Sequence, residues 1–193
     1  MKQLLALLIR TASTTIAFAA NVADTSYTTS GGTRVLRHEV VVLAPAADVY
    51  RAFTTADGWR TWAVPFAQLT PDLSVGAVME TSYNPAAKLG DANNIKNKVL
   101  AFVPNRLFAF QAVQAPQGFK HANLLARVFT VAEFEPVDAK HSRVKLSMLG
   151  YGSGPAFDEL YAHFAKGNAW TAQKLVERFE NGPIDWTNAK PKN

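Results

Sequence analysis

The stretch that decides the fold is residues 155–180, PAFDELYAHFAKGNAWTAQKLVERFE. Pro155 suits the first turn of a helix, and Gly182 followed by Pro183 is typical of a helix end. The apolar residues between them recur at helical spacing, and the stripe that they form is too wide to face water. We therefore expect one long C-terminal helix that packs on a sheet. Its apolar side chains are those of Phe157, Leu160, Tyr161, Phe164, Trp170, Leu175, Val176 and Phe179.

The chain ahead of this helix begins with a strand and two short helices. Residues 34–43, RVLRHEVVVL, are rich in valine and alternate in polarity, which is typical of a strand. Pro45 ends this strand and is well placed to begin a short helix. A second short helical turn follows and carries Trp59 and Trp62.

Short apolar segments separated by Pro, Gly, Asn and Asp fill the middle of the chain, with no helical pattern between them. Strands spaced so closely pair as antiparallel neighbours. The sequence therefore predicts an α+β protein in which a curved antiparallel sheet wraps around the long C-terminal helix, with two short helices after the first strand. Further strands are predicted at residues 74–83, 95–103, 106–113, 123–135 and 142–151.

The N-terminus has the sequence pattern of a signal peptide. It has a positive start, an apolar run at residues 4–9, and Ala17 and Ala19 in the small-x-small pattern of a cleavage site, so we expect export to the periplasm or secretion. The alternative is an amphipathic helix on a cytoplasmic protein. Stable membrane insertion is not expected, because a spanning helix needs about 20 apolar residues. The expected domains are a probable signal peptide at residues 1–20, a flexible leader at 21–33, one folded domain at 34–182 and a tail at 183–193.

Composition argues against several classes of function. The chain has 193 residues with no Cys, and 20 Lys and Arg against 15 Asp and Glu give a net charge of +5. The positive residues are scattered among acidic and apolar ones, so we do not expect a nucleic-acid partner. The four histidines have no metal-ligand spacing, and the sequence predicts neither a metal site nor a cofactor.

Several segments in this order resemble one protein family. Residues 40–66 are similar to the opening of the SRPBCC superfamily, also called START-like or helix-grip, and look closest to its branch of homologues of the ATPase activator of a heat-shock chaperone. Residues 99–110 resemble the hairpin of that branch, residues 129–149 its paired strands and residues 167–175 its helix motif.

The chain departs from the pattern of this family at two places. Gly167 is followed by Trp170 rather than directly by Trp, and Gln111 stands where an aromatic residue is usual. Both departures concern details of the cavity rather than the fold. The resemblance implies a hydrophobic ligand cavity, while reactions and partners vary widely within the superfamily.

A curved sheet cannot touch a long helix everywhere, so we expect a cavity between them. Trp59 and Trp62 are either flat surfaces at its mouth or plugs at the edge of the core. The alternative for the whole interior is a filled core, since apolar faces usually pack solid. The candidate ligand-binding residues are Trp59, Trp62, Met79, Thr81, Gln111, Thr130, Phe134, Leu146, Met148, Phe157, Leu160, Tyr161 and Phe164.

The function that this pattern favours is binding of a small hydrophobic or amphipathic molecule. Thr81, Gln111, Tyr161 and His38 are candidates for fixing the orientation of that molecule. A chaperone-regulating interaction domain is the first alternative. An enzyme of the cyclase or hydrolase kind is the second, but no catalytic residue is assigned, and the sequence favours a binding protein over an enzyme. Acid–base work would require a His to meet a group such as Glu80 or Tyr161.

Overall fold

The computed structural model describes residues 22–187. The expected signal peptide, residues 1–20, lies outside the described residues, and so does the end of the expected tail, residues 188–193.

The centre of the fold is a nine-stranded antiparallel sheet. In space the strands follow the order β1, β3, β9, β8, β7, β6, β5, β4, and β2 pairs with the other end of β3. This arrangement and the helix described next confirm the predicted α+β helix-grip fold. The strands are β1 (Ala23–Asp24), β2 (Tyr27–Thr28), β3 (Arg34–Val42), β4 (Phe66–Thr70), β5 (Val78–Ser82), β6 (Ile95–Val103), β7 (Leu107–Gln114), β8 (Phe129–Pro136) and β9 (Ser142–Leu149).

Three α-helices accompany the sheet. Two short ones, α1 (Ala46–Thr54) and α2 (Ala56–Arg60), follow β3, and the long α3 (Pro155–Asn181) packs on the inner face of the sheet. Pro155 is in the first turn of α3, and the chain leaves the helix at Gly182, as the sequence predicts. Within residues 22–187, no helix is long and apolar enough to cross a membrane.

The segment for which the polar composition favours a flexible leader contains β1 and β2, which lie along β3. Between β1 and β2, side-chain hydrogen bonds from this segment to β3 take the place of backbone hydrogen bonds between strands. The Ser26 hydroxyl accepts a hydrogen bond from the backbone N–H of Arg37 at 3.0 Å, and the Thr25 hydroxyl donates to the Glu39 carboxylate at 2.9 Å. Small hydroxyl residues therefore tie this segment to the edge of the sheet.

Two strand predictions need correction. The expected strand at residues 123–135 begins only at Phe129, because Ala122–Arg127 form a 3-10 helix. An apolar run without clear periodicity does not distinguish a strand from a helical turn. Residues 66–70, to which the pattern assigns no strand, form the edge strand β4, and the expected strand at 74–83 is confined to Val78–Ser82.

The parity of the central strands largely follows the predicted pattern. Val144, Leu146 and Met148 of β9 are buried on the inner face, and Lys145 lies on the other face, paired with Glu135 at 2.6 Å. Ser147 alternates with the inner residues of β9 and so lies on the other face, but it is only 7 % exposed. Its neighbours across the ladder are the larger Arg37 and Val131, which shield the small hydroxyl.

The turn from β9 into α3 requires glycine at Gly150. This residue has φ +92°, and a Cβ at this position would collide with the backbone carbonyl oxygen of Arg127. Gly154, at the start of α3, also has positive φ (+100°), but a Cβ there would meet no atom within 4 Å. Gly150 is thus constrained by both conformation and space, and Gly154 by conformation alone.

We predict that Gly150→Ala destabilises the protein more than Gly154→Ala. Each substitution places a side chain in a strained backbone region, at a cost of about 1–3 kcal/mol. Only the change at Gly150 adds a collision with the backbone of Arg127. Urea unfolding of both variants measures the difference, and equal losses in the free energy of unfolding would show that the close approach is unimportant.

Candidate ligand-binding cavity

The interior contains a cavity of about 390 Å³ between the sheet and α3. Its volume is within the range of small-molecule sites. The core on either side of it is divided into two groups. One, the N-terminal cluster, packs the beginning of α3 through Phe157 and Leu160; the other, the C-terminal cluster, packs its end through Ala172, Leu175 and Val176.

The cavity exists because α3 presents small residues between these two clusters. Phe164, Gly167, Asn168 and Thr171 recur at spacings of three and four residues and line the cavity. A Cβ added at Gly167 would meet no neighbouring atom within 4 Å. Gly167, Asn168 and Thr171 therefore leave space on this face of α3, between the larger side chains of Phe164 and Trp170, which border the cavity.

The sheet also contributes small residues to the cavity. Ala112 of β7 lies directly across from Asn97 of β6, and Thr130 of β8 lies between Phe110 of β7 and Met148 of β9. All five line the cavity. Small side chains on the sheet therefore lie below small side chains on the helix, which leaves a space that neither side fills.

The indoles of Trp59 and Trp62 form one wall of the cavity. Trp59 is 8 % exposed and Trp62 is 1 % exposed. Each indole N–H donates to a backbone oxygen of α1, that of Trp59 to Phe53 at 2.5 Å and that of Trp62 to Ala52 at 3.0 Å. These hydrogen bonds fix both rings as walls, so the rings belong to the core and line the cavity at the same time.

Residues 115–121, which we call the cover segment, close one side of the cavity. Phe119 from this segment packs against His163 and Phe164 of α3, with ring centroids 5.2 and 6.4 Å apart. The side chains of Lys120 and His121 contact the Glu159 carboxylate at 2.5 and 2.7 Å. The cover segment is thus held to α3 by ring contacts inside and by ionic contacts at the surface.

The family model described as Activator of Hsp90 ATPase homolog 1-like protein matches residues 43–180. The chain belongs to this family. The expected resemblance to the SRPBCC superfamily, and to this branch of it, is thereby confirmed. No curated protein matches the chain.

Solved structures with the same fold include proteins with different names and roles. The Aha1 dimer from Colwellia psychrerythraea has a TM-score of 0.58 and 19% identity, over 77% of this chain and 97% of that chain. CalU16 from Micromonospora echinospora has a TM-score of 0.56 and 15% identity, over 87% and 88%. A Thalictrum norcoclaurine synthase, solved with a transition-state analogue, has a TM-score of 0.51 and 16% identity, over 77% and 94%. At these identities the likeness extends to the fold of this Aha1-like chain and not to its ligand.

Seven of the thirteen candidate residues line the cavity of the Aha1-like domain, and six do not. Parity predicted which side of the sheet a residue faces, but not whether α3 lies in contact with it or above the cavity. The seven are Trp59, Trp62, Thr81, Thr130, Leu146, Met148 and Phe164.

Four of the other six are core residues. Three of them, Met79, Phe134 and Leu160, are 1 % exposed, and Phe157 is 6 % exposed. None of the four lines the cavity. Phe134 packs edge-on against Tyr50 of α1. These positions were expected in the cavity, but they pack inside the two core clusters instead, Met79 and Phe134 in one and Phe157 and Leu160 in the other.

Gln111 and Tyr161 do not line the cavity, and their side chains make contacts within the protein instead. The Gln111 side-chain amide donates to the backbone oxygens of Ala126 at 2.9 Å and Val128 at 3.2 Å, which lack the strand partners that a longer β8 would supply. Tyr161 packs against Tyr151 with ring centroids 5.0 Å apart. The expectation that either side chain orients a ligand is therefore corrected by their positions.

Asn97 and Asn168 are among the polar lining residues that were not identified from the sequence. Asn97 is only 7 % exposed, and neither amide makes a side-chain hydrogen bond to any residue between 22 and 187. The parity of β6, with Ile95 and Val99 on the inner face, would have placed Asn97 there too. A polar residue at an inward-facing position of a predicted strand is thus the sequence feature that could have identified Asn97 as a cavity residue.

The titratable groups that line the cavity are Tyr83 and His163, both on its rim, among the residues that the structure describes. Glu80 does not meet a histidine here, since its carboxylate accepts hydrogen bonds from the Gly90 N–H at 2.6 Å and the Asn94 amide at 2.7 Å. The acid–base pairs considered from the sequence are therefore not brought together. No group of three or more His, Asp or Glu side chains in residues 22–187 is arranged to hold a metal ion.

His38 lies on the inner face of β3 but does not line the cavity. Its Nδ1 is buried and has no hydrogen-bond partner among residues 22–187. Burial lowers the pKa of His38 below its ordinary value of 6.5, and the carboxylate of Asp24, directly opposite on β1, partly counteracts this. The folded protein thus holds His38 in its neutral form.

We predict that His38 makes the protein less stable as the pH falls below about 6.5. In this window the unfolded chain binds a proton that folded His38 resists, so the free energy of unfolding decreases until the pH reaches the lowered pKa. His38→Leu should remove this contribution. Urea unfolding of both proteins between pH 8 and pH 5 measures it, and a constant difference between them across that range would contradict the prediction.

Proposed function

We propose that this chain binds a small apolar or amphipathic molecule in the cavity between the sheet and α3. The observation that carries the proposal is the apolar space of about 390 Å³ at the position where the core would otherwise be packed. Empty apolar space in a protein interior costs stability, because the side chains around it lose contacts. A ligand that fills the space restores those contacts.

The composition of the lining supports this proposal. Aromatic side chains from α2, β7, the cover segment and α3 surround the space, including Trp59, Phe110, Phe119 and Phe164. Transfer of apolar ligand surface from water to such a site contributes about 25 cal/mol per Å². Only the surplus over the lost freedom of the ligand appears as affinity.

We predict that a neutral hydrophobic probe, N-phenyl-1-naphthylamine, binds in this cavity with a rise in its fluorescence. Ala112→Phe should weaken binding by at least about tenfold, because the new ring grows from β7 into the cavity. The matched control is Val113→Phe on the same strand, whose side chain is 50 % exposed on the other face. Val113→Phe should bind the probe as the natural chain does.

Two results of this titration would contradict the proposal. Absence of binding by the natural chain would mean that the cavity does not accept an apolar guest. Equal weakening by both phenylalanine variants, each shown to be folded by circular dichroism, would place the probe elsewhere.

The family description supports a second proposal, regulation of a chaperone ATPase. Such regulation would depend on the outer surface of the domain and not on its interior. It can be tested on the same variants, because Ala112→Phe changes the cavity and leaves the outer face of β7 unaltered.

We also propose that the chain is exported. The support is the pattern of residues 1–20, in which Ala17 and Ala19 precede the expected cleavage point. N-terminal sequencing of protein from a bacterial periplasmic fraction should begin at Ala20 or Asn21. Ala19→Phe should prevent cleavage, and an intact Met1 on natural protein in the cytoplasmic fraction would contradict export.

A further inference from the structure

Asn97 is the most unusual polar residue of the cavity. It lies on β6, paired with Met79 of β5 on one side and with Ala112 of β7 on the other. Its side chain lines the cavity, and the residue is only 7 % exposed. Neither the oxygen nor the nitrogen of its amide makes a hydrogen bond within residues 22–187.

The amide atoms of Asn97 are not among the side-chain atoms of residues 22–187 that are sealed from solvent without a partner, so the amide faces the open space of the cavity. Several other buried polar side chains of this domain have hydrogen-bond partners. The Ser142 hydroxyl donates to the Ala44 oxygen at 2.7 Å, and the two indoles donate to α1. Asn97 therefore has hydrogen-bonding capacity that the fold itself does not use.

The lining also limits the charge of a ligand. None of its residues is Lys, Arg, Asp or Glu within the described part of the chain, and its titratable members are Tyr83 and His163 at the rim. An ionised group placed beside Asn97 would lose its hydration without gaining a counter-ion. The interior should reject such groups.

The volume sets the size of the ligand. A water molecule takes about 30 Å³ of liquid, so the cavity has the space of about 13 waters. A bonded carbon atom occupies less volume than a free water molecule, so an apolar ligand of two or three rings fits this space.

We propose that Asn97 is the specificity-determining residue of the cavity and that the ligand is an uncharged ring compound with one hydroxyl or carbonyl group, which the Asn97 amide binds. An amide can donate to a carbonyl and can both donate to and accept from a hydroxyl. This assignment rests on the proposed function, because it names the class of molecule that enters the same cavity.

The test compares three bicyclic compounds at neutral pH: 2-naphthol, naphthalene and 2-naphthoate. Each competes with N-phenyl-1-naphthylamine on the natural chain, on Asn97→Leu and on Lys98→Leu. Leucine keeps the branching of Asn97 at Cγ, is somewhat larger and removes the amide. Lys98 is the next residue on β6 and is exposed on the other face, so it is the matched control.

The natural chain and Lys98→Leu should prefer 2-naphthol to the other two compounds by about tenfold. In Asn97→Leu the preference of 2-naphthol over naphthalene should fall to about twofold or less, while affinity for naphthalene is kept or raised. Loss of the unpartnered amide should not reduce stability, which urea unfolding measures.

The alternative results separate this inference from the function on which it rests. Retention of the 2-naphthol preference in Asn97→Leu would overturn the role of Asn97 while probe binding still supports the cavity. If the natural chain binds 2-naphthol and naphthalene equally well, the role of Asn97 is overturned without any variant. If it binds 2-naphthoate as well as 2-naphthol, the proposal that the ligand is uncharged is overturned. Failure of N-phenyl-1-naphthylamine itself to bind would overturn both proposals.

Discussion

The structure depends on how α3 is attached to the sheet. Leu160 and Leu175, near the two ends of the contact, are fully buried, and they lie 15 positions apart, or about 22 Å along a helix. A helix bends only gently over this distance, so the stretch between the two points stays above the sheet. The space below Gly167 and Thr171 is therefore a consequence of attachment at both ends combined with small side chains in the middle.

Hydrogen bonding separates the framework of the cavity from the surfaces that a ligand would meet. The indole N–H groups of Trp59 and Trp62 and the amide of Gln111 are bound to backbone oxygens. Those hydrogen bonds supply donors to backbone carbonyls at the end of α1 and beside the 3-10 helix, where regular secondary structure provides none. Asn97 and Asn168, in contrast, make no side-chain hydrogen bond within residues 22–187. Side-chain amides thus stabilise the framework at Gln111 and face the cavity at Asn97 and Asn168.

The fold was predictable because local patterns encode it. Period-two alternation places the inner faces of β3 and β9, and the capping residues Pro155 and Gly182 give the bounds of α3. The cavity was only half predictable, because Thr130 and Phe134 share one face of β8 and look alike by parity. Phe134 lies under α1, where it meets Tyr50, whereas Thr130 lies under the gap below α3. That difference arises from contacts between distant elements and not from any local pattern.

The attachment of α3 also determines how a ligand could reach the cavity. The cover segment is joined to α3 by ionic contacts of Lys120 and His121 with Glu159, whose side chain is 52 % exposed. Ion pairs at such exposure contribute little, because water screens the two charges. The ring of Phe119, packed on His163 and Phe164, contributes more, because aromatic contacts add to the burial of apolar area. Exchange through this side therefore requires that Phe119 leave its ring contacts, and α3 and the sheet can keep their attachment while it does so.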